Sequence, residues 1–457
     1  MSKEVEKEVY FNLLPTKDKE RVWGFWDFLA VQICFGIAAW FFLVGGFTGL
    51  VLPAKWAIPT VIFGNQFPLF LMSILSVYSA RYGAEQFYMT RPMFGSRGTD
   101  IWILIYIVSS YGWIAYASFL FGESAYKFAA MLKLPEIIAS EVPGAIIWAF
   151  IATIIGMYIA YKGPTILKWF MRLSAIFLIA VLLGFIYYLI AVTGLEKIFA
   201  LQPSAPYTLP NGEPDWPLNF AAALEWNVGL GFSWAFWYGQ YTRLAKTESA
   251  AYHGTLWGWG VLAATAGVFS ALTALIVGSF DPTDWIVKLG TFETSLIGLL
   301  LMAIANITSV AALVYPLSIT LRSRVPRIKW IWAVLIVSLP ALLIENPTTF
   351  ASYNIYLTYI ALITGIYAGV LVGEYILTRG NYRIRDIYNY KGFWYTKGFN
   401  LAGCIAAIAA TAFYLWTWDP VLQVSHNGLF DKISAGIPSF FVAMILYIIL
   451  SKIMKIR

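Results

Sequence analysis

Charge is what this sequence has least of. Asp, Glu, Lys and Arg make up 12% of its 457 residues, against about 25% in an ordinary soluble domain. A soluble fold of this length could not cover itself with so few charges, so the missing polar surface must face lipid. That excludes a soluble enzyme, a single-span receptor and a disordered chain. Cysteine is nearly absent too. Cys34 and Cys404 both sit in apolar stretches, which excludes a disulfide framework and a thiolate metal site. His253 and His426 are too few and too scattered for a zinc or haem centre. Segment 1–22 is polar and lacks the apolar core of a signal peptide, so the first apolar run is expected to stay in the mature protein.

In place of charge, 60% of the chain is hydrophobic and 18% aromatic. At ~20 residues per crossing plus a connection, this length accommodates about twelve membrane helices. Hydropathy predicts spans at 24–52, 57–80, 99–131, 144–161, 166–193, 219–241, 252–278, 293–321, 329–345, 351–378, 399–417 and 434–453. Pro53, Pro143, Pro164, Pro203, Pro217, Pro282, Pro347 and Pro420 fall in or beside the connections, as helix breakers should. All Lys and Arg except Lys55, Lys127, Lys133, Lys197, Lys288 and Lys432 then lie on one side. By the positive-inside rule that side is the cytoplasm, with both termini on it. The basic balance, net +7, is therefore a topology signal and does not point to nucleic acid. The expected organisation is a cytoplasmic tail at 1–23, one transmembrane domain at 24–453 and a tail at 454–457, in the cell membrane and as a monomer.

Transporters bind substrate near the bilayer midplane, often where two helices are interrupted. Span 1 carries Gln32 and Gly36 at mid-depth; span 6 carries Gly229, Gly231, Phe232, Ser233 and Trp234. These glycines either mark unwound segments or simply permit close helix packing. Spans 1 and 6 are five apart, as a five-plus-five inverted repeat requires. Span 3 offers Trp113 at mid-depth, and span 8 a polar group at Asn306, Thr308 and Ser309. Facing aromatics can sandwich a flat ligand, while hydroxyls and freed carbonyls suit a hard cation; alternatively, such hydroxyls bond their own backbone. Among the embedded acids, Glu225 is either an exposed vestibule residue or the best-placed carboxylate for proton or cation coupling.

Four segments resemble the nucleobase–cation symporters, which include purine, cytosine, allantoin and hydantoin permeases. They are Arg91-Pro92-Met93-Phe94-Gly95-Ser96-Arg97-Gly98 before span 3, Tyr241-Thr242-Arg243-Leu244-Ala245-Lys246 after span 6, the end of span 10 through Gly373-Glu374-Tyr375, and Gly392-Phe393-Trp394-Tyr395-Thr396-Lys397-Gly398-Phe399-Asn400 before span 11. The resemblance implies an all-α LeuT-type fold of five plus five helices and two more. It also implies alternating access and symport driven by Na+ or H+, with no other cofactor. Trp113 matches the family's span-3 Trp, and Phe232 or Trp234 its span-6 aromatic. The Na+ ligands that the resemblance implies fall on the carbonyls of Val31 and Cys34 and on Thr308 and Ser309; Gln32, Gly231 and Asn306 join the expected substrate set. The chain departs from the hydantoin-type pattern at Ala117 and Leu313, where polar partners would stand, and at Gln240 and Glu374. The reading is uptake of a nucleobase or related planar heterocycle. The alternative is a symporter of similar fold for an amino acid or a vitamin. A membrane enzyme would need clustered His, Asp, Glu or Cys at one depth, and a channel would need polar stripes through several helices.

Overall fold

The computed structural model describes residues 14–21, 23–36 and 39–455. Each of the twelve predicted spans has a helical counterpart. Among the described residues, seven helices are long and apolar enough to cross a membrane, or eight if Ala54–Met72 and Leu75–Tyr82, bent by 45°, form one span. Trp40–Val51, Trp330–Ile344 and Leu401–Thr417 are shorter apolar helices. Span 6 falls short of full length because it is interrupted. Span 1 is described as helix over Phe25–Gly36 and Ala39–Val51. Span 6 comprises Trp216–Phe232, a tight 3-10 turn at Ser233–Phe236, and Tyr238–Thr242. The side chains left exposed around the perimeter are apolar, for example Phe70, Leu104, Ile176 and Ile408. This is the outside that the missing charge required.

Spans 1–5 and 6–10 form two sets of five; spans 11 and 12 follow. The packing carries the same relation. Span 1 lies against span 7 and span 2 against span 6, the exchange expected when span 1 is equivalent to span 6 and span 2 to span 7. Spans 3 and 8, equivalent to each other, pack together. Ala39–Val51 and span 7 approach closely. A Cβ on Gly45 would lie 2.2 Å from the Gly267 carbonyl oxygen, and one on Gly49 2.2 Å from that of Ala271. Only glycine lets these backbones meet.

On the face where the basic residues gather, each of the four motif segments is held by specific contacts. Gly95 has φ 76°, a left-handed backbone that breaks the long helix Gln86–Met131. The Gly398 carbonyl occupies the space beside it and accepts from Arg97 N at 2.9 Å. Asn400 Nδ2 donates to the Pro92 carbonyl at 2.9 Å, and the Arg97 guanidinium sits 5.1 Å from the Trp394 ring. Trp23 pairs with Ala245, which joins the chain ahead of span 1 to the end of span 6. Tyr382 and Tyr447 donate to the two oxygens of Glu374, at 2.7 and 2.8 Å. On the opposite face, Lys127 lies 2.7 Å from Asp281 and Asp284 and 3.1 Å from Glu123, binding the connection after span 7 to span 3.

Candidate functional site

The 3-10 turn of span 6 creates the site. In this winding, side chains three apart lie on one face, so Trp234 and Trp237 stand over the same cavity. The Ser233 hydroxyl donates to the Leu230 carbonyl at 2.6 Å, where the winding changes. The cavity is small, about 30 Å³, and is lined by Trp40, Trp113, Trp234, Trp237, Trp259, Leu230, Leu313 and Ser233. Four of the indoles form two perpendicular pairs: Trp40 with Trp113, centroids 5.0 Å apart at 81°, and Trp234 with Trp259, 4.9 Å apart at 85°. Edge-to-face contact is the arrangement that aromatic quadrupoles prefer. Tyr356 of span 10 holds Trp113 from its other side, 4.9 Å away at 81°.

Trp113 and Trp234, singled out from sequence, are thus brought to one cavity. Phe232 is not: it stacks on Phe440 of span 12 at 5.4 Å and is fully buried there. Gly231 faces span 2, where a Cβ would lie 3.0 Å from the Asn65 carbonyl oxygen; of the two readings open for it, this is the packing one. Gln32 lies against span 7, with Nε2 3.5 Å from Thr255 Oγ1. Asn306 donates to its own helix at the Met302 carbonyl, 2.8 Å. Trp40, Trp237 and Trp259 line the cavity and had not been singled out. Their signal was the same as that of Trp113, an indole too deep in its span to anchor at an interface.

The hydroxyls of span 8 have a partner the sequence did not suggest. Ser174 of span 5 donates to Thr308 Oγ1 at 2.6 Å, while Ser309 Oγ lies 3.3 Å from the Ala305 carbonyl of its own helix. In span 1, Val31 and Cys34 are helical and their side chains lie outside the described residues. Their backbone belongs to the helical stretch described over Phe25–Gly36. Hydroxyls and carbonyls of this kind make a neutral oxygen set suited to a monovalent cation. No group of three or more His, Cys, Asp or Glu that could hold a metal ion occurs among the described residues.

Glu225 lies elsewhere and is fully buried, which corrects the exposed-vestibule reading. Tyr414 donates to its Oε1 at 2.8 Å, and the backbone N–H groups of Ala435 and Gly436 donate to Oε2 at 3.0 and 2.9 Å. It therefore caps the N-terminus of span 12, where a carboxylate meets free N–H groups and the positive end of the helix dipole. It does not line the tryptophan cavity.

A second cavity, of about 20 Å³, opens toward the basic face between spans 3 and 8, lined by Glu85, Arg91, Asp100, Thr320 and Arg324 among others. Glu85 accepts from Gln240 Nε2 at 2.6 Å, and the same Nε2 lies 2.9 Å from Thr320 Oγ1. Burial pushes the Glu85 carboxyl up to about 7, against the opposing pull of the Phe87 N–H and Arg243.

A family model described as permease for cytosine/purines, uracil, thiamine and allantoin matches residues 15–432. Among solved structures, the chain is similar to Mhp1, a nucleobase-cation-symport-1 family transporter, in a closed conformation with bromovinylhydantoin bound. Identity is 18% over 96% of this chain and 94% of that one, with a TM-score of 0.78. Against the inward-facing conformation of Mhp1 the values are 17%, 97% and 93%, with a TM-score of 0.81. A substrate-bound, outward-open Na+-coupled sialic acid symporter matches at 11% identity over 98% and 96%, TM-score 0.56. No curated protein matches. At these identities the structural likeness establishes the fold.

Proposed function

Because the chain belongs to the family of permeases for cytosine/purines, uracil, thiamine and allantoin, we propose that it carries a nucleobase or related planar heterocycle across the membrane in symport with a cation, by alternating access. It is a transporter and not an enzyme. The observation that carries the substrate class is the cavity walled by five tryptophans at the break of span 6. Its flat π surfaces suit a flat ring, which aromatic side chains hold by stacking. Trp113 and Trp234 are the two walls that grip the ring. Phe232, turned toward span 12, is not part of the grip.

For the coupling ion we favour Na+, held by Thr308, Ser309 and Ser174 together with the span-1 carbonyls of Val31 and Cys34. Glu225 is locked by three donors at the start of span 12, and a group so engaged supports the fold in place of carrying a proton. The basic face is cytoplasmic by the distribution of Lys and Arg. The test is binding to purified protein of pyrimidines, purines, allantoin and hydantoins, with and without Na+. Substrate affinity is expected to rise with Na+, and Na+ affinity with substrate by the same factor. Uptake that proceeds undiminished without Na+ and collapses with a protonophore would replace Na+ with H+. Failure of every ring to bind would remove the heterocycle.

A further inference from the structure

The cavity's inventory of hydrogen-bonding groups is lopsided. An indole has one N–H donor and no acceptor, and leucine has neither. Five of the described lining side chains are indoles and two are Leu230 and Leu313. The one hydroxyl, that of Ser233, donates its proton to the Leu230 carbonyl at 2.6 Å and so engages that acceptor as well. Trp259 Nε1 is buried, at 3% exposure of the residue, with no hydrogen-bond partner among the described residues. The described side chains of the wall therefore offer donors to a ligand and scarcely any acceptor besides the Ser233 oxygen.

The free nucleobases have the opposite need. Uracil, xanthine and their relatives carry ring N–H groups that lose water on entering such a box and find indole faces in exchange. An N–H group buried without an acceptor lowers affinity by about tenfold. A ring whose nitrogens are alkylated has nothing to leave unmet. Its carbonyl oxygens accept from indole N–H groups, and its N-methyl groups pack on indole faces and leucine.

We propose that this permease selects planar heterocycles with substituted ring nitrogens and acceptor-only edges, of the N-alkylated pyrimidinedione and purinedione class, over their N–H parents, and that Leu313 is a residue that sets this preference. The inference rests on the tryptophan cavity being the heterocycle site. Leu313 lines the wall from span 8, opposite the indoles of span 6, and is 7% exposed. Asparagine there would place a carboxamide oxygen, an acceptor, on a wall that now has a hydrocarbon.

The experiment compares ring pairs that differ only in N-methylation: uracil with 1,3-dimethyluracil, and xanthine with 1,3,7-trimethylxanthine, binding to full-length protein in Na+. The wild type should bind the methylated member of each pair at least about tenfold more tightly, and Leu313→Asn should bring each ratio to within about threefold. A wild-type ratio of one or below, in binding that Trp113→Ala abolishes, overturns the preference and leaves the heterocycle site standing. Absence of binding by every ring overturns both. An unchanged ratio in folded Leu313→Asn removes Leu313 as the selector. The wild-type ratios decide the preference even if that variant does not fold.

Discussion

The two cavities are built on the same pair of helices and share almost no chemistry. Spans 3 and 8 contribute Trp113 and Leu313 to one, and Thr99, Asp100, Thr320 and Arg324 to the other. Leu313 and Thr320 are separated by seven residues, about 10 Å of helix, and across that distance the wall changes from hydrocarbon to guanidinium and carboxylate. Between them lies a layer of aromatic rings. Tyr106 touches Trp237 of the first cavity, centroids 4.9 Å apart, and Phe87 of the second at 5.1 Å, with Phe236 at 5.7 Å. The difference separates two tasks. Grip at mid-depth uses stacking, which needs no charge. Toward the basic face, ion pairs and hydrogen bonds join segments: Arg324 to Asp100 at 2.5 Å, and Glu85 through Gln240 to Thr320.

The largest effect expected is on grip. Trp113→Ala should lower ring affinity tenfold to a hundredfold, because stacking on an aromatic is worth ~1–3 kcal/mol per base; Trp113→Phe should keep part of it. Arg324→Ala, on the charged cavity, should leave affinity within about threefold. Isothermal titration on monodisperse protein checks both, and equal losses would erase the division of tasks. Next comes the ion. Thr308→Ala should raise the Na+ concentration needed for half-maximal ring binding by about tenfold, as expected when one of few oxygen ligands is lost, with Arg324→Ala again as the control. A matching shift in the control would place the ion in the charged cavity.

Smaller effects lie between and below. The folded protein holds the Glu85 proton up to about 7, against an ordinary value of 4.5. Between those values the native state binds the proton that the unfolded chain has released, so rising pH costs stability across that window. Relative to Glu85→Gln, the wild type should lose about a degree or two of Tm from pH 4.5 to 7; parallel melting curves would mean that Glu85 is charged throughout. The smallest change expected is Tyr106→Phe. The Tyr106 hydroxyl is buried in the aromatic layer without a hydrogen-bond partner among the described residues. Its removal should leave Tm unchanged or raise it slightly, since no bond is lost. A clear fall would show that the hydroxyl has a partner.

Much of the frame was legible in the sequence because lipid imposes a strong rule. Most charges and most prolines fall between apolar runs or near their ends, and twelve runs became twelve helical counterparts. The site was legible only in part. The depth of Trp113 and Trp234 could be counted along a helix; the direction of Phe232 could not, because it depends on where α-helix tightens to 3-10. That change alters the rotation per residue from ~100° to ~120°, and it begins one residue after Phe232, at Ser233. Gly231, read as either an unwinding point or a packing surface, required the position of span 2 to decide. Ser174 stands among apolar neighbours in span 5, and nothing near it in sequence shows that Thr308 will face it. Glu225 looked accessible because it lies two turns into span 6. Spans 11 and 12, which cover it, come long afterwards in the chain.

The glycine contact between Ala39–Val51 and span 7 has a mechanical consequence. With carbonyl oxygens where side chains would stand at Gly45 and Gly49, the two helices have no cushion between them and behave as planks nailed face to face. A tilt of span 7 must carry this half of span 1 with it, as one lever. Trp40 sits at the far end of that lever, about 14 Å from Gly49 along the axis, and is itself a wall of the cavity. A single methyl group wedged in at Gly49 would therefore be felt as a displaced wall, well away from the point where it was inserted.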